Sequence, residues 1–220
     1  MSPDFIDIHT HSPRSAGIYV MNVFAQDLIP DFRPANPCTV GLHPWHLTET
    51  DCINALAALE KAAAHQLVVG IGECGLDKNI STPLNIQEEN FLKQLEIAEK
   101  FQKPAIIHCV KAYSEMLHIR KRNKWKKPWL FHWFNASREV AADLLDTGCY
   151  LSFGRSLLHP NGKNAVVLRN VPTDRIFFET DDAEISIVSV YEKASQVMEI
   201  PVDELKKIIR SNYQKLFMHG

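Results

Sequence analysis

Short apolar runs alternate with helical stretches along most of this chain, and few folds accommodate that alternation. The runs are Phe5 to Ile8, Gly17 to Phe24, Cys38 to Leu42, Leu67 to Glu73, Pro104 to His108, Pro128 to His132, Tyr150 to Phe153 and Arg175 to Asp181. Between them, Thr50 or Asp51 can cap an alanine- and leucine-rich helix ending near His65. Gln87 to Phe101 places Phe91, Leu92, Leu95 and Ala98 on one side, and Ser137 can cap a helix to about Thr147. Further helices are expected over Ala112 to Arg122, Asn164 to Arg169, Ser186 to Met198 and Val202 to Leu216. Leu67 to Glu73 is nearly all apolar, as in a parallel strand buried on both faces. Units of this kind join by right-handed crossovers, so the expected fold is α/β, a (β/α)8 TIM-like barrel. The proline-spaced stretch to Pro37 has no helical period, which leaves the barrel abbreviated around strand two. At 220 residues the chain fits one domain, 1–220.

Composition narrows the function classes. The hydrophobic fraction is 45% and the charged fraction 23%, as in an ordinary soluble protein, and no apolar run approaches the roughly 18 to 20 residues that cross a membrane. The start, MSPDFIDIHTH, has neither a basic nor an apolar leader region, so a cytoplasmic protein is expected. Five cysteines without a C-x-x-C pair read as free thiols, and Cys74 and Cys109 are expected to pack rather than react. A formal charge of −2 gives no overall attraction to polyanions, so any such binding must come from a local patch.

The chemistry gathers at the ends of the apolar runs. His9 and His11 close the first, and in an extended strand they point to the same side. Alone, such a pair is better explained as satisfied histidines in a core or loop. Glu73, His108, His132 and Asp181 close four later runs, however, and in a parallel barrel these ends meet at the catalytic mouth. The set exceeds the four ligands of one closed zinc site and suits two divalent ions. The same parity turns Asp7 and Glu179 inward, where buried carboxylates are expected to orient imidazoles. Lys111 and Arg155 follow strand ends and are candidates for holding an anionic substrate. The basic run Arg120 to Lys127 precedes a strand start, so it is expected on the opposite face, away from the mouth.

In chain order the motifs DIHTH, GLHPW, GECGLD, PAIIHCVKA, FHWFNAS, the ETD of FFETDD and NYQKLF resemble the TatD family of metal-dependent hydrolases, within the amidohydrolase superfamily. The resemblance covers essentially the whole chain. It implies a barrel and a metal-dependent nuclease or related phosphodiesterase, and the expected activity is that of a 3′ exonuclease on single-stranded DNA or of an enzyme on another phosphate-containing substrate. It implies that His9, His11 and Asp181 hold one metal and His108 and His132 the other, with Glu73 bridging. The ions could be Zn²⁺, Mn²⁺ or Mg²⁺, with Asp181 accepting a proton from water. His43 and His46 would contact substrate phosphate.

Three departures bear on the substrate. Asp182-Ala183-Glu184 stands where the family continues with a small residue and proline, Lys111 replaces a more usual arginine, and the segment between DIHTH and GLHPW is short. The alternatives are a hydrolase of a small phosphate ester, ester or amide, and a metal-stabilised binding module without turnover.

Overall fold

The structure is a computed structural model that describes residues 4–14, 17–123, 125–159 and 162–218. Its strands are β1 Ile6–Thr10, β2 Ile18–Phe24, β3 Cys38–Gly41, β4 Val68–Asp77, β5 Ala105–Val110, β6 Trp129–Phe131, β7 Tyr150–Phe153 and β8 Ile176–Phe178. Its helices are α1 Cys52–Ala63, α2 Leu84–Lys100, α3 Tyr113–Asn123, α4 Arg138–Asp146, α5 Lys163–Leu168, α6 Ile187–Met198 and α7 Val202–Tyr213. The eight strands hydrogen-bond in chain order, β1 to β8, which is the strand order of a (β/α)8 barrel. Among the described residues no helix joins β1 to β2, and only a 3₁₀ turn at Ala25–Asp27 follows β2, so the expected abbreviation is present. No helix among them is long and apolar enough to cross a membrane.

The chain divides into two compact units, residues 1–21 with 131–219, and residues 22–130. In the first, the terminal unit, β1 is buried along its whole length and pairs in parallel with β2 through Ile6↔Ile18 and Asp7↔Tyr19. β7 and β8 pair through Leu151↔Ile176 and Phe153↔Phe178. The Asp181 N–H donates to the His9 carbonyl at 2.9 Å and the His11 N–H to the Asp181 carbonyl at 3.3 Å, so the segment beyond β8 lies against β1. Phe153, Phe177, Phe178 and Tyr191 fill this core, and the Tyr191 hydroxyl donates to the Ile6 carbonyl at 3.0 Å. The run expected as a strand to Asp181 stops at Phe178, where its ladder with β7 ends; beyond it Asp181, in a left-handed conformation with φ 53°, meets β1 only through an isolated bridge to Thr10.

In the second, the central unit, Asp51 caps α1 by accepting from the Ile53 and Asn54 N–H groups. α2 begins at Leu84, three residues before the expected start at Gln87, because Pro83 sets the entry. Its buried face carries Phe91, Leu95 and Ala98 as expected, but also two buried glutamines. Gln94 accepts from the Leu42 N–H at 2.7 Å and donates to the Leu42 carbonyl at 3.0 Å. Gln87 does the same for Asp77, at 2.8 and 3.0 Å. One helix therefore clamps the chain just past β3 and at the end of β4.

The largest correction also lies in this unit. The run expected to end at Glu73 continues as strand to Asp77, so Glu73 sits inside β4 instead of finishing it. A register shift between Ile71 and Cys74 absorbs the glycine-rich sequence. Gly75 makes this possible: with φ +151°, its hydrogen faces the His108 carbonyl, where a Cβ would stand 1.9 Å from the oxygen.

The basic run is braced on α2. Arg120 donates to the Lys127 carbonyl at 2.8 Å and stacks 5.1 Å from the Trp129 ring, Arg122 pairs with Glu88 at 3.2 Å, and the Lys126 and Lys127 N–H groups both donate to Glu99. Lys124 lies outside the described residues.

Candidate metal centre

In the terminal unit, His9 lies in β1 and His11 one residue past its end, and the segment after β8 carries Asp181 to both. His11 Nε2 stands 3.2 Å and His9 Nε2 3.5 Å from Asp181 Oδ1. One ligand atom from each residue falls within 4.8 Å of the others, the spread that a single cation can gather. Burial opposes the charge on Asp181, yet the hydrogen bonds from His11 and His9 outweigh it and hold the carboxyl well below the usual range. The His132 ring is tilted against His9, with centroids 4.3 Å apart.

The two buried acids of this unit do different work. Glu179 lies beside the imidazole without bonding it: Oε1 is 4.0 Å from His132 Nδ1, beyond hydrogen-bond reach, and accepts from the Trp133 N–H instead, and burial pushes its carboxyl up to about 8. Asp7 instead accepts from the Thr180 N–H at 3.0 Å and its hydroxyl at 2.6 Å, so it fixes the residue before Asp181. Arg14, which no sequence pattern marked, donates to Thr10 Oγ1 at 2.9 Å and to the Asp181 carbonyl at 3.2 Å. Together Asp7 and Arg14 pin the strained turn that aims the Asp181 carboxylate.

In the central unit, Glu73 Oε1 lies 2.8 Å from His108 Nδ1 and 3.0 Å from His43 Nε2. The Glu73 N–H donates to Asn22 Oδ1 at 2.7 Å, which fixes its backbone. His108 Nε2 meets Asp77 Oδ2 at 3.1 Å, and the same oxygen accepts from Trp45 Nε1 at 2.8 Å. Burial disfavours a charged His108, but Asp77 and Glu73 overcome it and raise its pKa to about 9. Burial likewise opposes the Asp77 charge, and His108, Trp45 and Asn79 overcome it, holding the carboxyl at about 2. A proton on His108 thus occupies a place of strongly negative field. A divalent cation on Glu73 and His108 suits the same field, and the mix of imidazole and carboxylate donors fits such an ion.

His43, Glu73 and His108 also fall within 4.8 Å of one another, but the His43 tautomer argues against its being a ligand. His43 Nδ1 accepts from the Trp45 N–H at 3.2 Å, so its proton sits on Nε2, the atom that faces Glu73. His43 is therefore a donor beside the carboxylate. His46 is half-buried, its ring 4.9 Å from Phe24. Lys111 is exposed at φ 54° just past β5, and Arg155 is exposed at the start of the 3₁₀ turn after β7. Cys74 is fully buried and its thiol is pushed up by burial, while burial drives Cys109 up to about 12, so neither is a nucleophile.

Parallel strands in barrel order that carry clustered imidazoles and carboxylates define a metal-dependent hydrolase. The chain belongs to the family described as TatD related DNase, which matches residues 25–218. The DIHTH motif lies ahead of that span. A metal-dependent hydrolase of Bacillus subtilis, YabD, is 30% identical over 197 residues, 81% of this chain and 76% of its own. A Citrobacter rodentium protein named 3′-5′ ssDNA/RNA exonuclease TatD is 33% identical over 161 residues, covering 65% of this chain and 56% of its own. The crystal structure of YJJV, a TatD homologue from Escherichia coli, superposes with a TM-score of 0.84 at 21% identity, covering 97% of this chain and 98% of that one, and it shares the fold.

Proposed function

We propose that the protein is a two-metal phosphodiesterase that acts on single-stranded DNA, removing nucleotides from the 3′ end, and that it works in the cytoplasm as one catalytic domain, 1–220. The observation that carries this reading is the presence of two pre-gathered donor sets, His9–His11–Asp181 and Glu73–His108, each in its own unit. The exonuclease name of the Citrobacter rodentium relative supports the substrate. When bound, Zn²⁺, Mn²⁺ or Mg²⁺ would polarise a phosphoryl oxygen and make water a stronger nucleophile at neutral pH.

The chain's own residues then divide the work. Asp181 receives the proton of the attacking water, its carboxylate aimed by Arg14 and Asp7. His132 adds an imidazole packed against His9. His43 donates its Nε2 proton to the Glu73 carboxylate, and His46, Lys111 and Arg155 hold phosphate. A bridging role for Glu73 rests on the family resemblance.

A second reading, hydrolysis of a small phosphate ester, is favoured by one observation. Asp182 and Glu184 are both exposed immediately after Asp181, and they add negative charge where a polyanion would approach. Short single-stranded DNA, RNA, a small phosphodiester and small esters, each offered with Mg²⁺, Mn²⁺ or Zn²⁺, separate the readings. Metal-dependent shortening of DNA from its 3′ end is expected. Turnover of small phosphate esters with intact DNA would transfer the assignment to the second reading, and turnover of carboxyl esters alone would remove both.

A further inference from the structure

A cavity of about 300 Å³ opens in the terminal unit beyond β6 and β7, lined by Trp133, Asn135, Arg155, Ser156, His159, Lys163 and Asn164 among others. Its volume is at the lower end of small-ligand sites, enough for one phosphorylated sugar with its base partly outside. Three of its side chains, Arg155, His159 and Lys163, are cationic or can become so, and its lining contains no carboxylate. None of the three makes an ion pair with another described residue, which sets them apart from Arg122, paired with Glu88. A concave, uncompensated basic pocket attracts an anion.

The polar floor adds a second requirement. Asn164 is buried, and its Nδ2 donates to the Phe134 carbonyl at 2.7 Å and to Ser156 Oγ at 2.6 Å. A carbonyl can only accept, so the amide orientation is fixed. Asn164 Oδ1 is then left as a buried acceptor without a partner among the described residues. Ser156 Oγ, already accepting, keeps its own proton to donate. The pocket thus presents cations and a hydroxyl donor for an anion, a buried acceptor for a hydroxyl or amine of the ligand, and the indole of Trp133. Trp133 also ties the pocket to the metal-site residues, since its N–H donates to Glu179 and it directly follows His132.

We infer that this cavity is a nucleotide subsite, in which Arg155, Lys163 and His159 hold a phosphate, Asn164 Oδ1 accepts from the sugar or base, and Trp133 supports the base. In taking the phosphate to belong to a nucleotide, the inference rests on the phosphodiesterase reading above.

Binding measured by calorimetry on the full chain tests it without turnover. The probes are 2′-deoxycytidine 5′-monophosphate, deoxycytidine and inorganic phosphate, each with metal-loaded protein and again with a chelator present. The monophosphate is expected to bind about tenfold or more tighter than the nucleoside, and chelation to change this by no more than about threefold. Arg155→Gln with Lys163→Gln should weaken the monophosphate about tenfold; both side chains are exposed, so folding is retained, and His159→Gln serves as an independent variant. Binding unchanged in these variants, lost on chelation, or equal for nucleoside and nucleotide would overturn the inference. Inorganic phosphate bound as tightly as the nucleotide would also overturn it, leaving an anion site only. Failure of the phosphodiesterase reading is seen separately, as absence of DNA cleavage by metal-loaded wild-type protein.

Discussion

Asp181→Asn is expected to lower DNA hydrolysis by at least about 100-fold while the fold persists. The amide keeps the shape of the side chain but loses the negative charge that lies 3.2 Å from His11 Nε2 and 3.5 Å from His9 Nε2. It also loses the capacity to take up a proton. The backbone contacts that seat the residue, N–H to the His9 carbonyl and carbonyl from the His11 N–H, do not involve the carboxylate, so the segment should stay docked on β1. The neighbouring Asp182 supplies the control, being exposed, and Asp182→Asn should cost far less. The comparison is of kcat on a short oligonucleotide at saturating metal, with circular dichroism and metal occupancy recorded for both variants. Equal losses in the two would place the proton acceptor elsewhere.

Gly75→Ala should act on the fold itself, destabilising the chain by at least about 3 kcal/mol. The added Cβ would meet the His108 carbonyl oxygen at 1.9 Å, a backbone atom of β5 with no rotamer by which to withdraw, and φ +151° is strained for any side chain. Relief requires β4 and β5 to part at the Gly75↔His108 pair, which also displaces the His108 imidazole from Glu73. Gly148→Ala provides the comparison: its φ is +79° but nothing lies within 4 Å of the added carbon, so only the left-handed penalty of about 1–2 kcal/mol applies. Urea unfolding of the two variants separates steric clash from backbone preference. A Gly75→Ala protein as stable as Gly148→Ala would show that β4 does not follow this path.

These two sites also show how far the sequence could be read. His9, His11, His108, His132 and Asp181 stand out because they close apolar runs and a two-residue period makes His-x-His face one way, whereas Glu73, placed at a strand end on the same ground, lies inside β4. The barrel order followed from the same alternation. The route of β4 was hidden because glycine, which ordinarily signals a turn, here permits close approach to β5. β8 was drawn too long because nothing in the apolar run marks where its ladder with β7 ends, at Phe178. Asp77 lay within a motif, yet its hold on His108 and Trp45 depends on β4 continuing to it. Arg14, Asn22, Gln87 and Gln94 act through partners 10 to 167 residues away, which no local pattern encodes. Asp7 was placed correctly as a buried acid, but its partner is Thr180 and not an imidazole, because the turn before Asp181 brings a hydroxyl and an N–H to it first.

Metal content tests the account most directly. Elemental analysis of the purified full chain, combined with anomalous scattering from metal-soaked crystals, is predicted to find two divalent ions per chain, one on His9, His11 and Asp181 and one on Glu73 and His108. No ion at either donor set after soaking, in a protein that still cleaves DNA, would contradict it.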